Sequence, residues 1–342
     1  MTHPYYILKP FENKILNIWD DLLPYGLSSP VHFKTNSWGI RAREFARDDH
    51  ERVLALGCSV TISEYIDQER TWTYLLEDTL KKTTGKKYWI GNAGKSKMMS
   101  RDYLTFMEHF IPQVNRYIHT IIMIAGINDL TRVLSKAEDY DSQFLEKAGE
   151  AYLVERAFDV IPGRTSWSAR FKYTHLWQIL KRIKHIVKPE NYNNIGADYA
   201  DLRKKRQMAE KVTAAPNIQA GLLEYENNLR RIILLARKNN LRLILATQPS
   251  LWNPYDARLE DLFWFGWINE NYPRNYYSAQ VLKECLRAFN QVLGDVCRDS
   301  VIELVDLAAL LPSTPEIFYD DVHFNETGSQ ATAAIFAHYL TS

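Results

Sequence analysis

The chain alternates between short apolar runs and longer segments in which apolar residues recur at helical spacing. Continuous apolar runs of this length are typical of strands that are buried on both faces. The predicted strands are 52–56, 87–90, 120–124, 242–246 and 301–305. The clearest helical stripe, with steps of three and four residues, consists of Leu222, Tyr225, Leu229, Ile232 and Ala236. Alternating strands and helices predict one parallel sheet with right-handed crossovers.

The interval between the third and fourth predicted strands is too long for a single crossover helix. We interpret 136–215 as a helical insertion, with helix-like segments at 166–187 and 199–212. A basic stretch at 181–185 lies within the first of them. A solvated helix face explains this stretch more simply than a binding patch does.

The interval after the fourth predicted strand, 249–278, is rich in aromatic residues. Its tryptophans are candidates for substrate contacts: Trp252, Trp264 and Trp267. Loops this aromatic often form a wall or lid over a pocket. A satellite hydrophobic cluster that seals the loop to the core is an equally good interpretation.

Composition fits one large α/β domain. The 342 residues are 46% hydrophobic and 13% aromatic, which is enough to bury a large core. We expect 1–50 to form an N-terminal extension that packs on a domain at 51–342. A formal net charge of +1 gives no electrostatic reason to expect nucleic acid or an anionic membrane as the main partner.

The expected compartment is the cytoplasm. The first residues contain no basic region followed by an apolar run and a cleavage site, so no export signal is visible, unless a leader has been removed. The apolar runs are too short to cross a bilayer. Three cysteines cannot all pair with one another and have no metal-binding spacing, which favours a reducing environment.

Chemically useful residues follow four of the predicted strands. In an open parallel sheet, ligand sites form beyond the carboxyl ends of the strands. A hydroxyl, two loops of small residues, a side-chain amide and an acid-imidazole pair occur there, within 57–61, 91–97, 125–129 and 320–323. Together these groups are the requirements of a hydrolytic serine site. No zinc-protease motif, Walker loop or dinucleotide fingerprint is present, so no cofactor or metal is expected.

This set resembles the SGNH, or GDSL-like, hydrolase superfamily. The resemblance implies a flavodoxin-like, three-layer α/β/α fold with a five-stranded parallel sheet. It also implies that Ser59 is the nucleophile, Asn128 an oxyanion-hole donor, His323 the base and Asp320 its orienting acid. The segment 35–41, Thr-Asn-Ser-Trp-Gly-Ile-Arg, is similar to a stretch that often precedes the nucleophile in bacterial relatives, where we expect it to pack beside the active-site face.

Two positions depart from the family pattern. Cys58 replaces an aspartate that is not part of the triad, so altered support around Ser59 is expected; a role as a rival nucleophile would need a lowered thiol pKa. Lys97 replaces the glycine whose backbone amide joins the Ser59 amide and Asn128 in the oxyanion hole. A lysine still offers this amide but tolerates fewer backbone angles. Alternatively, Gly94 forms the turn that presents the amide.

Two further carboxylates lie close to the predicted triad but outside it. Asp321 adjoins the predicted acid, and we expect it to form local hydrogen bonds or to be solvated in the turn. Asp129 is expected to support the loop that positions Asn128.

The resemblance implies a serine esterase or deacylase that removes a short acyl group, such as O-acetyl, from a carbohydrate or similar small molecule. The first alternative is an O-acyltransferase that uses the same triad, with an acceptor site formed by the aromatic loop. The second is a catalytically impaired carbohydrate-binding or scaffold protein, which the departures at Lys97 and Cys58 favour.

Overall fold

A computed structural model describes residues 5–136, 139–161, 189–253, 255–268 and 275–342. Its strands are β1 (Asn13–Ile18), β2 (Val31–Lys34), β3 (Glu51–Gly57), β4 (Tyr88–Gly94), β5 (Thr120–Ile124), β6 (Glu190–Ile195), β7 (Glu210–Val212), β8 (Arg242–Ala246), β9 (Asn275–Tyr277) and β10 (Glu303–Val305).

The α-helices are α1 (Ser59–Ile62), α2 (Trp72–Thr84), α3 (Ser100–His109), α4 (Ile111–Val114), α5 (Ile127–Lys136), α6 (Phe144–Ala157), α7 (Asp198–Met208), α8 (Gln219–Lys238), α9 (Ala279–Ser300), α10 (Leu307–Leu310) and α11 (Glu326–Thr341). Short 3₁₀ helices occupy Asp20–Tyr25, Gln68–Arg70 and Ala257–Leu262. None of the helices in the described ranges is long and apolar enough to cross a membrane.

The central sheet confirms the predicted fold class. Five parallel strands lie in the order β10-β8-β5-β3-β4, which is the flavodoxin-like order. Each contains or overlaps one of the predicted runs, and the side chains of β4 and β5 are all buried. The crossover from β3 to β4 runs in the opposite direction to the later ones. Right-handed connections therefore place helices on both faces of the sheet.

The helical stripe predicted at 222–236 is also confirmed. It lies in α8, where Tyr225, Leu229, Ile232 and Ala236 are buried. Helix α8 packs against α3 and α9, whereas α2 packs against α11. The strand order and these contacts together form the three layers of the fold.

The insertion differs from the helical prediction. Besides α6 and α7, its described residues include the strands β6 and β7. Strand β6 pairs with β1, which pairs with β2 on its other side, in a second sheet. Strand β6 is polar and mostly exposed, so its sequence has no apolar alternation to reveal it. The predicted helix at 166–187 and the basic stretch at 181–185 lie outside the described residues.

The segment 35–41 braces the turn that follows the predicted nucleophile. Arg41 is 2% exposed, and its guanidinium donates hydrogen bonds to the carbonyl oxygens of Ile62, Ser63 and Ile66 at 2.6–2.7 Å. Gly39 has a φ of 65°, and a Cβ there would lie 2.1 Å from the Leu8 carbonyl oxygen. The N-terminal region thus holds the α1 turn through one buried cation.

Replacing Arg41 should destabilise the protein. In Arg41→Met, several buried carbonyl oxygens lose their donors, and we expect the free energy of unfolding in urea to fall by about 3 kcal/mol. The exposed Arg47 offers a matched control, because Arg47→Met should change stability by less than about 0.5 kcal/mol. Equal effects of the two substitutions would contradict the bracing role.

Candidate active site

Ser59 is the first residue of α1, at the carboxyl end of β3. Two glycines allow this short helix to pack closely on the sheet. A Cβ at Gly57 would lie 2.0 Å from Thr61 Oγ1, and one at Gly94 would lie 2.4 Å from the Ile62 nitrogen. The buried Asn92 side chain donates to the Thr61 carbonyl oxygen at 2.6 Å. The sharp turn therefore presents Ser59 above the sheet.

A chain of short hydrogen bonds connects Ser59 to a buried carboxylate. His323 Nε2 lies 2.8 Å from Ser59 Oγ, and its Nδ1 lies 2.7 Å from Asp320 Oδ2. Asp320 and His323 lie in a turn closed by the pairing of Phe318 with Phe324. The structure thus brings together the three residues predicted as the triad, although their sequence separation reaches 264 residues.

Asp320 is fully buried and has four donors. Its Oδ1 accepts from the backbone nitrogens of Val322 at 3.0 Å and His323 at 2.8 Å. Its Oδ2 accepts from the indole Nε1 of Trp264 at 3.0 Å as well as from the imidazole. Burial by itself would raise the pKa of Asp320, but the charge of His323 and these hydrogen bonds outweigh it and hold the pKa below its usual value. The carboxylate therefore stays ionised beside the imidazole.

Asp321 is also buried, which contradicts the prediction that it could be solvated. Its Oδ2 accepts from the backbone nitrogens of Trp264 at 2.7 Å and Phe265 at 3.3 Å, and its Oδ1 accepts from Trp252 Nε1 at 2.7 Å. Burial and the neighbouring Asp320 charge raise the pKa of Asp321. This second carboxylate fastens the aromatic loop rather than the imidazole.

Ser59 and His323 open into a cavity of about 490 Å³, within the usual range for small-molecule sites. Its walls come from α1 and the turn after it, the turn after β4, α5, α6, α7, the aromatic loop and the turn before α11. The lining residues are Ser59, Glu64, Tyr65, Ser96, Lys97, Met99, Asn128, Thr131, Arg132, Arg156, Asp198, Tyr199, Leu202, Trp264, Phe265, Trp267, Tyr319 and His323.

The predicted oxyanion donors line the same cavity. Asn128 Nδ2 donates one hydrogen to the Met98 carbonyl oxygen at 2.8 Å, so the second amide hydrogen remains available for a ligand. Lys97 has a φ of 67°, the left-handed conformation that glycine adopts most easily. Lysine at this position therefore keeps a glycine-like backbone. The first amides of α1, including that of Ser59, have no intrahelical acceptor.

The structure argues against three roles considered from the sequence: a donor turn at Gly94, a substrate contact at Trp252 and a nucleophile at Cys58. Gly94 ends β4 in an extended conformation and serves close packing, so it does not form the donor turn. Trp252 is 1% exposed and bonded to Asp321, so it supports the loop without lining the cavity. Cys58 is 1% exposed, and burial raises the pKa of its thiol, which opposes a role as the nucleophile.

Asp129 acts one layer behind the cavity. Its carboxylate accepts from the backbone nitrogen of Ser100 at 3.1 Å and from the Ser100 hydroxyl, which also accepts from Asn228 at 3.0 Å. These contacts connect the start of α5 to α3 and α8. Burial is the main reason that the pKa of Asp129 rises to about 7.

Sequence reasoning missed three tyrosines of the cavity wall. Tyr319 stacks on the His323 ring, with centroids 5.6 Å apart and planes at 13°, and Tyr65 stacks on Tyr319 at 6.0 Å. Tyr199 reaches the same cluster from α7. Tyr319 could have been found from the sequence, because it directly precedes the predicted acid Asp320. Tyr199 could not, because it lies in the insertion, whose position relative to the site the sequence does not reveal. In the described ranges, no group of three or more His, Cys, Asp and Glu residues is arranged to hold a metal ion.

The buried Asp129 predicts a specific pH dependence. Its pKa is higher in the folded state than the ordinary 3.8, so the folded state binds this proton more tightly and loses stability as pH rises from about 4 to about 7. Across this window, the contribution of Asp129 to the free energy of unfolding should fall by an amount on the order of 3 kcal/mol. The fall should be absent in Asp129→Asn, which cannot ionise.

Urea unfolding at several pH values measures the difference between wild type and variant. Asp20→Asn, at an exposed position, is the control and should leave the profile unchanged. A parallel shift of the whole Asp129→Asn curve, with the same slope as wild type, would contradict the raised pKa.

No model of a known protein family and no curated protein sequence matches the chain. Among solved structures, the chain is similar to an acetylxylan esterase from Geobacillus stearothermophilus, with 15% identity, 86% of this chain and 95% of that chain covered, and a TM-score of 0.46. It is also similar to an α/β hydrolase enzyme from the metagenome of Lake Arreo, with 14% identity, coverages of 85% and 94%, and a TM-score of 0.45.

A third similar structure is described as a lipolytic protein of the G-D-S-L family from Desulfitobacterium hafniense, with 10% identity, coverages of 84% and 99%, and a TM-score of 0.43. The chain's own strand order is flavodoxin-like, and Ser59 follows β3, Asn128 follows β5 and His323 follows β10. This arrangement agrees with the three-layer α/β/α fold expected from the sequence resemblance.

Proposed function

We propose that the protein is a serine esterase that hydrolyses an ester through an acyl-enzyme intermediate. The observation that carries this proposal is the continuous hydrogen-bond chain from Asp320 through His323 to Ser59, which ends at the cavity. A neutral imidazole with its Nδ1 hydrogen directed at a carboxylate has its Nε2 lone pair available to accept the serine proton.

In the acylation step, Ser59 Oγ attacks the ester carbonyl carbon while His323 Nε2 takes the hydroxyl proton. The carbonyl oxygen becomes an oxyanion, which the Asn128 amide and the backbone N–H groups of Ser59 and Lys97 stabilise. Loss of one such donor typically costs about 3 to 4 kcal/mol of barrier. When the intermediate collapses, the imidazolium returns its proton to the leaving alkoxide, and an alcohol departs.

Water completes the reaction. It gives a proton to His323 Nε2 as its oxygen attacks the acyl carbon, and the proton then returns to Ser59 Oγ when the acyl bond breaks. Free enzyme and a carboxylic acid result. Asp320 stays ionised throughout and stabilises the imidazolium that forms twice in each cycle.

A carbohydrate or similarly hydroxylated ester suits the cavity lining. The parallel rings of Trp264 and Trp267, with centroids 5.7 Å apart and planes at 16°, form an amphipathic wall beside polar groups such as Ser96 and Asp198. A short acyl group, such as acetyl, would fit between Ser59 and the oxyanion donors. Release of acetate from acetylated sugars, with and without a sugar acceptor, distinguishes hydrolysis from O-acyl transfer.

The scaffold alternative loses its main support. Lys97 was the reason to expect an impaired oxyanion hole, but its backbone adopts the left-handed conformation of a glycine. Cys58 lies buried behind the nucleophile, where it does not obstruct the cavity. Neither departure therefore blocks the proposed reaction.

The proposal predicts a strict order of effects in steady-state kinetics with p-nitrophenyl acetate. Ser59→Ala should abolish turnover above background, and Asp320→Asn should lower kcat by about 10⁴-fold because the imidazole loses its orienting acceptor. Asp321→Asn should have a smaller effect, since Asp321 bonds to the aromatic loop. An equal or larger loss in Asp321→Asn would assign the orienting acid to Asp321 instead.

Trp264 should act as a positioning residue. Trp264→Phe keeps the ring but removes the indole hydrogen bond to Asp320, and we expect kcat to fall by about tenfold, in line with a hydrogen bond to a charged group. Trp267→Phe is the matched control, because Trp267 lines the same cavity without bonding to Asp320. Its main effect should be on KM. Equal kcat losses in the two variants would contradict the role of the indole hydrogen.

A further inference from the structure

A second cleft adjoins the catalytic cavity and takes no part in the proposed reaction steps. Its volume is about 630 Å³, within the usual range for small-molecule sites. Its walls come from Trp19 and the 3₁₀ helix Asp20–Tyr25, from α7, and from the 3₁₀ helix Ala257–Leu262. The cleft therefore lies where the N-terminal region, the insertion and the aromatic loop meet.

Helix α7 lies between the two spaces. Asp198, Tyr199 and Leu202 line the catalytic cavity. Tyr199, Arg203 and Gln207 line the cleft, and their steps of four residues place them along one stripe of the helix. Among the described lining residues, Tyr199 is the one that both spaces share. A ligand that extends past this ring would occupy both spaces.

Arg203 is a buried cation with few partners. It is 8% exposed, and its guanidinium lies over the rings of Tyr25 and Tyr199, at 4.8 and 5.7 Å from their centroids. A guanidinium has five N–H donors, but in the described part of the chain only Nη2 has an acceptor, the Tyr319 carbonyl oxygen at 2.9 Å. Its Nε is enclosed, so the Nη groups are the ones that a ligand with acceptor oxygens would reach. Such a ligand is favoured because unsatisfied donors of a buried charge are costly.

The same arginine connects the cleft to the catalytic turn. Tyr319, whose carbonyl oxygen it binds, directly precedes the orienting acid Asp320 and stacks on the His323 ring. The Tyr25 carbonyl oxygen accepts from Asn325 at 3.2 Å, two residues after His323. The cleft is thus built against the turn that carries the acid and the base of the triad.

Trp19 offers an aromatic surface in the cleft. Its side chain is partly exposed, and within the described ranges no aromatic ring or cation is stacked on it. Its Nε1 donates to Asp21 Oδ2 at 3.0 Å, which fixes the orientation of the indole. The C–H face of a sugar ring packs on such an indole, while the sugar hydroxyls remain available for hydrogen bonds.

The polar groups of the cleft include both donors and acceptors. Arg203 and Lys204 supply cations, and Asp21 and Asp261 supply exposed carboxylates. Asp261 Oδ1 accepts from Gln207 at 3.0 Å, which leaves its second oxygen for a ligand. A bound anion would meet two carboxylates in this cleft, whereas a neutral sugar can accept from the cations and donate to the carboxylates. The balance of charge therefore favours a neutral sugar.

We propose that the cleft binds one sugar unit of an oligosaccharide ester whose acylated unit lies in the catalytic cavity. In this arrangement the sugar ring packs on Trp19, and its hydroxyls accept from Arg203 and Lys204 and donate to Asp21 and Asp261. The inference rests on the proposed esterase function and narrows its substrate class from any hydroxylated ester to a saccharide of at least two units.

The test measures kcat/KM for acetate release from sugars of increasing length by the purified full chain. Three β-1,4-linked series, of glucose, xylose and N-acetylglucosamine, are used from one to four units, each molecule with one O-acetyl group on its first or last unit. In at least one series, kcat/KM should rise by about tenfold at the length that first reaches the cleft, as expected for one aromatic contact and one hydrogen bond. p-Nitrophenyl acetate, which is too small to occupy both spaces, reports the esterase activity by itself.

The decisive quantity is the ratio of kcat/KM for the best oligosaccharide to that for its acetylated monosaccharide. Trp19→Ala should lower this ratio by about fivefold and Lys204→Ala by about threefold, because an aromatic contact and a hydrogen bond to the distant sugar unit are lost. The ratio cancels any common effect on the triad. Arg203 is not replaced, because its bond to the Tyr319 carbonyl oxygen would be lost as well.

Two matched controls should leave the ratio unchanged. Lys205→Ala removes the exposed lysine next to Lys204, and Tyr74→Ala removes an aromatic side chain that is 44% exposed on α2; neither residue lines the cleft or the cavity. A wild-type ratio near one in all three series, or an unchanged ratio in both Trp19→Ala and Lys204→Ala, would overturn the inference while hydrolysis of p-nitrophenyl acetate upholds the esterase proposal. Hydrolysis of none of the esters would contradict the esterase proposal and, with it, this inference.

Discussion

The arrangement of the candidate site depends on one buried carboxylate. Asp320 is 0% exposed, a state that would be costly for an ionised group without compensating donors. Four hydrogen bonds supply that compensation: two from backbone nitrogens of its own turn, one from the imidazole ring of His323 and one from the indole of Trp264. The same bonds fix the orientation of the imidazole and the position of the aromatic loop. One electrostatic requirement therefore connects the triad to the cavity wall.

The sheet and the segments around it have distinct tasks. The strand ends of the central sheet supply Ser59 and Asn128, which lie at fixed positions because the β-sheet register is continuous there. The N-terminal region contributes Arg41, which holds the α1 turn, and the insertion contributes α7, which carries Tyr199 on the cavity wall. The sheet thus positions groups of the proposed reaction, whereas the surrounding segments support the α1 turn and form part of the cavity wall that would contact a substrate.

The sequence predicted the sheet well because β3, β4, β5 and β8 are covered on both faces along most of their length. Residues 120–124 form a continuous apolar run that only a buried strand explains simply, and β5 spans Thr120–Ile124. Strand β6 was not predictable, since Glu190–Ile195 is polar and mostly exposed and is held by pairing with β1. Pairing between distant segments has no local signature in the sequence.

The site shows the same division. The triad was predicted from motifs at strand ends. The burial of Asp321 and its bond to Trp252 were not predicted, because they depend on how a loop folds back across a sequence separation of 69 residues. Gly94 was the alternative to Lys97 for the turn that presents the oxyanion amide, whereas its close contact with α1 makes it a packing residue. Such errors arise where one residue type serves two structural purposes.

Covalent labelling tests the central claim most directly. A fluorophosphonate reacts with a serine only when a base removes the hydroxyl proton and donors stabilise the tetrahedral oxygen, so it reports the nucleophile, the base and the oxyanion hole together. Mass spectrometry of the labelled and digested protein should locate one adduct on Ser59. No adduct should form when the protein is unfolded by heat before the fluorophosphonate is added. A folded protein that remains unlabelled, or an adduct on a different residue, would contradict the account.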